Sequence, residues 1–69
     1  MKLNLDAEPE NLALAFTVSF EVIRDNPNQE EGVGNAVYLE KNGIRFQCVK
    51  NEESYTVREV TEEEELQLV

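Results

Sequence analysis

Apolar side chains fall at every second position through the run "LALAFTVSFEVIR", residues 12–24, where Leu12, Leu14, Phe16, Val18, Phe20 and Val22 mark one face. Strict alternation is the pattern of a half-buried β-strand, and the β-branched and aromatic content of residues 16–23 favours the same state. The spacing predicts a strand over residues 16–23, extending back toward Leu12, although "DAEPENLALA" also allows a short helical turn started by Asp6. The opposite face of that strand would carry Ala13, Ala15, Thr17, Ser19, Glu21 and Ile23. Four of these six are small where a solvent face usually carries long polar side chains, so Ala13, Ala15, Thr17 and Ser19 are the expected self-association surface. Length presses on this reading. Thirteen strand residues at about 3.3 Å each span roughly 43 Å, against a radius of gyration near 11 Å for a compact chain of this size. The strand must bend, be shorter than the pattern, or project to a second subunit.

"DNPNQEEGVGN", residues 25–35, has a proline, two glycines and no periodicity, and reads as a loop. Beyond it "AVYLEK" and "IRFQCV" flank Asn42-Gly43, a dipeptide suited to a type I′ hairpin because both central residues need positive φ. A turn there pairs Lys41 with Ile44, Glu40 with Arg45, Leu39 with Phe46 and Val37 with Cys48. One face then collects Val37, Leu39, Ile44, Phe46 and Cys48. A polar turn at residues 51–54 leads into "YTVREV", whose Tyr55 and Val57 extend that face, and "KLNL" at residues 2–5 supplies an edge strand through Leu3 and Leu5. The expected fold is mainly β: a single small domain over residues 1–69, built as an antiparallel meander of four to five strands with a short acidic C-terminal helix or tail.

The tail is "TEEEELQLV". Thr61 followed three residues later by Glu64 is a capping-box pattern, with the threonine side chain bonding the Glu64 N–H and the glutamate reaching back to the Thr61 N–H. Glutamates in a first turn suit the positive end of a helix dipole. Leu66 and Val69 would dock such a helix on the sheet, and a helix this short needs docking to form.

Composition narrows the function. The chain has 69 residues, a formal charge of −9, one cysteine and no histidine. Domains of this size have thin cores and usually add disulfides, a metal or oligomerisation; the first two routes are closed within one chain. Cys48, between apolar neighbours, reads as a buried small hydrophobe. General acid–base or nucleophilic catalysis has no histidine, no paired carboxylates in a pocket and no activated Ser or Cys to work with, so no enzyme activity and no cofactor are expected. "DNPNQEEG" offers oxygen ligands but breaks the EF-hand spacing at Pro27 and at the glycine, so no metal is expected. No apolar run is long enough to span a bilayer, and "MKLNLDAEPE" turns acidic too early for a signal peptide, which predicts a cytoplasmic protein.

The charge is unevenly placed. Residues 1–35 hold seven acids against Lys2 and Arg24, a net of −5; residues 36–50 carry a net of +2; residues 51–69 hold seven acids against Arg58, a net of −6. Such an excess opposes direct nucleic-acid or anionic-membrane binding. Carboxylates in a row do suit a partner that normally grips phosphates. Glu52, Glu53, Glu62, Glu63, Glu64 and Glu65, with Glu30 and Glu31, are the expected partner-binding residues. In size, acidity and lack of a catalytic signature the chain is similar in kind to small phage-encoded inhibitors, including DNA-mimic anti-restriction and anti-CRISPR proteins; the likeness is of composition and carries no residue roles. The expected function is a non-enzymatic acidic binding protein that blocks or regulates a basic, nucleic-acid-handling protein. The alternative is a structural or assembly protein acting through β-mediated homo-oligomerisation, with a homodimer as the simplest form and acidity serving solubility.

Overall fold

The alternating run is a helix. The computed structural model describes residues 1–61 together with 63 and 64. In chain order they form β1 (Lys2–Asp6), a 3-10 turn (Pro9–Asn11), α1 (Leu12–Asp25), a second 3-10 turn (Val33–Asn35), β2 (Val37–Lys41), β3 (Ile44–Lys50) and β4 (Ser54–Glu59). Pro9 begins the first 3-10 turn, where its fixed φ and missing N–H cost nothing. Asn26 ends α1, its backbone N–H and its side-chain amide both donating to the Val22 carbonyl at 2.8 and 3.1 Å, and Pro27 follows.

Two of the expectations above are corrected by α1. Read at 3.6 residues per turn, the buried set is Ala15, Val18, Ser19 and Val22, spaced three, one and three. The small residues of the supposed outer strand face are therefore divided. Ala15 and Ser19 are buried against the sheet, while Ala13 and Thr17 are exposed. They do not form a self-association surface, and a charged side chain at Ala15 or Ser19 would test folding rather than association. The Ser19 hydroxyl donates to the Phe16 carbonyl at 2.6 Å, which satisfies its one buried polar atom. Length is resolved as well: fourteen residues at about 1.5 Å each make a helix of roughly 21 Å, which fits a molecule of 27 × 26 × 18 Å.

A further correction concerns topology. The sheet has four strands in the order β1-β4-β3-β2. β2 with β3 and β3 with β4 are antiparallel, but β1 runs parallel to β4, placing Leu3 beside Tyr55 and Leu5 beside Val57. The fold is thus a mixed sheet covered by one helix, not an antiparallel meander. A parallel pair needs a long crossover, and residues 7–53 provide it.

The hairpin is as its sequence predicts. Asn42 and Gly43 have φ of 53° and 81°, and the pairing follows the expected register from Lys41↔Ile44 to Val37↔Cys48. Phe46, Cys48, Tyr55 and Val57 line the inner face and meet Ala15, Val18 and Val22, with Leu5, Ala7, Leu14, Val37, Leu39 and Ile44 around the margin. At the C-terminal end the Glu64 N–H donates to the Thr61 hydroxyl at 3.1 Å, one half of the expected capping box. Among the described hydrogen bonds the Glu64 carboxylate accepts from the Thr61 hydroxyl at 3.4 Å and from Arg58 at 2.9 Å, rather than from the Thr61 N–H. Leu66 and Val69, expected to dock the tail, lie outside the described residues.

Gly43→Val should lower stability by more than about 1 kcal/mol, since a β-branched residue resists positive φ. Apart from its chain neighbours, no atom of the described residues lies within 4 Å of the position a Cβ would take, so the loss would report backbone strain alone. Urea unfolding measures it, and an unchanged midpoint would contradict the turn geometry.

Candidate functional site

The topology sorts the carboxylates to two poles. At one pole, the Gly32 N–H donates to the Lys50 carbonyl at 2.9 Å and the Lys2 N–H to the Glu53 carbonyl at 2.8 Å. These bonds bring the 25–35 loop, the β3–β4 turn and the start of β1 together. Glu30, Glu31, Glu52 and Glu53 therefore share this end, all four exposed, and among the described residues none of them enters a salt bridge. Arg24, Lys2 and Lys50 lie at the same end, with Asp25 bound to Arg24 at 2.9 Å.

Glu63 and Glu64 belong to the opposite pole, and Glu62 and Glu65 fall outside the described residues. The expected partner-binding residues are thus not one surface. β4 separates the two groups, and its six residues at about 3.3 Å each put roughly 20 Å between them. That exceeds the screening length of about 8 Å at physiological salt, so each pole acts on a partner independently.

Sequence reasoning missed the composition of the second pole. Asp6, Glu8, Glu59 and Glu64 line one open groove of about 380 Å³, with Ala7, Val60 and Thr61 between them. The parallel β1–β4 register puts Asp6 beside Arg58, and hence next to Glu59. Nothing local in the chain announces a parallel pairing, so only the matching lengths of the two strands could have suggested it. Glu59 is largely committed to the fold. Its carboxylate accepts from the Glu8 N–H and from the Asn11 side-chain amide, both at 3.1 Å, and so pins the entry to α1, where negative charge meets the positive end of the helix dipole. Glu64 is held by Arg58, whose Nε also donates to Gln47 at 3.3 Å. Asp6 and Glu8 have no ion pair among the described residues.

Among the described residues, no group of three or more His, Cys, Asp or Glu is placed to hold a metal ion. Gln29 of the 25–35 loop has another use. Its amide nitrogen donates to the carbonyls of Cys48 at 3.0 Å and Asn35 at 3.3 Å, and its amide oxygen accepts from the Tyr55 hydroxyl at 3.1 Å. One side chain thus ties the loop to the core. Burial pushes the Cys48 thiol from its ordinary 9.0 up to about 11, an effect only partly offset by its bond to Tyr55. The thiolate, the reactive form, is therefore scarce at neutral pH. Burial, reinforced by the neighbouring Cys48, also raises the Tyr55 phenol. No helix among the described residues is long and apolar enough to cross a membrane. No family model matches the chain, and comparison with curated proteins and with solved structures finds no match.

Two predictions follow from the buried network. Gln29→Ala leaves the Tyr55 hydroxyl without its loop partner and should cost about 1–3 kcal/mol; a double-mutant cycle with Tyr55→Phe should recover part of that loss as coupling. The second concerns alkali. Because the folded-state pKa of Cys48 lies above the unfolded one, its contribution is full below about pH 9 and is lost as pH rises through about 11. The melting temperature should accordingly fall more steeply between those limits in wild type than in Cys48→Ala.

Proposed function

We propose that this is a non-enzymatic acidic binding protein that docks on a basic, nucleic-acid-handling protein in the cytoplasm and blocks or regulates it, in the manner of a small phage-type inhibitor or DNA mimic. The observation that carries the reading is the set Glu30, Glu31, Glu52 and Glu53. These carboxylates come from two segments far apart in sequence, are gathered at one pole by backbone bonds, and among the described residues are not spent on internal ion pairs. Glu59 and Glu64, by contrast, have structural partners. Acid that serves only solubility has no need to be gathered. Asp6 and Glu8 offer a second anionic surface at the far pole, so a basic partner with a long cationic groove would engage both.

A second reading, an assembly protein acting through β-mediated self-association, is favoured by a different observation: an unpaired edge strand bordered by exposed apolar side chains.

The test is competition with duplex DNA for a basic protein captured from host lysate on immobilised protein at low salt. Glu→Gln at residues 30, 31, 52 and 53 takes the formal charge from −9 to −5 and leaves every described ion pair in place. Four exposed charges at about 0.3–0.5 kcal/mol each predict a loss of roughly tenfold in competition at 0.1 M salt, shrinking at 1 M as the screening length falls to about 3 Å. Equal competition by a folded variant would overturn the reading.

A further inference from the structure

We propose that the protein is a homodimer joined by antiparallel pairing of β1 with β1 of a second copy, the apolar flanks of the two α1 helices meeting above the seam. The inference does not rest on Glu30, Glu31, Glu52 or Glu53.

The first observation is the distribution of exposed large hydrophobics. Among the described residues, Met1, Leu3, Leu12, Phe16, Phe20 and Ile23 are six of the seven, and they share one side of the molecule. Leu12, Phe16, Phe20 and Ile23, spaced four, four and three, form one stripe along α1. The other flank of α1 faces the hairpin: Leu14 and Thr17 line a groove with Asn42 and Ile44, and Glu21 pairs with Lys41. The stripe therefore borders β1, and Ile23 and Met1 line one small cavity. Leu3 pairs with buried Tyr55 and so faces the helix side. Phe20, 66% exposed, stacks edge to face on Phe16 with centroids 5.3 Å apart, which fixes both rings while leaving them in solvent.

The second observation identifies the occupant. Among the described residues, β1 is an edge strand with a neighbour on one side only. The Lys2 N–H points toward β4, so by alternation the backbone groups of Leu3 and Leu5 point out. Its sequence, Lys-Leu-Asn-Leu-Asp, is self-complementary when read antiparallel. Centring on Asn4 sets Leu3 against Leu5 of the second copy, which makes the outward backbone groups a hydrogen-bonded pair. It also sets Lys2 against Asp6 of the second copy, twice over by symmetry. Opposite charges face each other, apolar side chains fall on the helix side, and the two stripes approach over the join. The other edge has none of this. Self-pairing of β2 about Leu39 sets Val37 against Lys41 and Tyr38 against Glu40, with no apolar stripe beside it.

Sedimentation velocity over a concentration series tests the proposal. Wild type should be dimeric at high micromolar concentration and remain so in 1 M salt. Lys2→Asp places like charges opposite each other twice and should weaken the dimer by about tenfold or more, while the swap Lys2→Asp with Asp6→Lys should restore it. Phe20→Glu should dissociate the dimer while leaving the monomer folded by circular dichroism, because Phe20 is outside the core. Glu→Gln at residues 30, 31, 52 and 53 should dimerise like wild type, which separates this inference from the acidic reading. A wild type that sediments as a monomer throughout, or a dimer indifferent to both Lys2→Asp and Phe20→Glu, overturns the proposal; the first result would assign the face to a partner of different sequence.

Discussion

The seating of α1 on the sheet is the constraint from which the other features follow. Ala15 and Ser19, one turn apart, put no bulk between helix and sheet, so Val18 and Val22 reach the layer of Phe46, Cys48, Tyr55 and Val57. Close packing at that contact gives a thin chain its core. The same contact fixes which side chains are left outside: with the small face turned in, the large residues Leu12, Phe16, Phe20 and Ile23 occupy the flank. A helix selected for stability alone would place its phenylalanines inward, where burying each contributes about 1.5–3 kcal/mol. Here both phenylalanines of the helix are in solvent and the third, Phe46, is fully buried. That inversion is the strongest sign that the outer flank has a use.

The reason residues 12–24 read as a strand is instructive. Positions 12, 14, 16, 18, 20 and 22 are all apolar, but on a helix they divide between the core and the exposed flank, so the period-two pattern is a by-product of two apolar faces on one helix. Composition did contain a contrary signal in the small residues Ala13, Ala15, Thr17 and Ser19, which look anomalous on a strand, and in the implausible length of thirteen extended residues. The β2–β3 hairpin was legible to the residue because Asn42-Gly43 fixes its register locally. The parallel β1–β4 pair was not, since it joins segments some fifty residues apart and depends on the helix between them. The acidic groove shares that obscurity: Asp6 and Glu59 meet only through that pair.

Acid placement obeys the same logic. The carboxylates that stabilise the fold sit at chain reversals near α1: Glu59 holds the helix entry, and Glu64 ties the C-terminal turn to Arg58. Glu21 on α1 pairs with Lys41, and Glu30, Glu31, Glu52 and Glu53 stand at the ends of the strands, where loops project. A charge of −9 on a chain this small is self-repelling, and separating the acids into two poles more than a screening length apart reduces that cost.

Self-association of so acidic a chain must overcome repulsion between copies, and the orientation of the pair decides how much. The poles differ: one sets Asp25, Glu30, Glu31, Glu52 and Glu53 against Arg24, Lys2 and Lys50, whereas the other sets Asp6, Glu8, Glu10, Glu40, Glu59, Glu63 and Glu64 against Lys41, Arg45 and Arg58. A parallel pair would set the richer acidic pole of each copy beside its equal. An antiparallel pair sets it beside the less acidic pole that holds Arg24, Lys2 and Lys50, and so lessens the repulsion between copies. The direction demanded by the self-complementary β1 sequence is thus also the direction that the uneven charge of the whole molecule favours, and the two arguments draw on different residues except for Lys2 and Asp6.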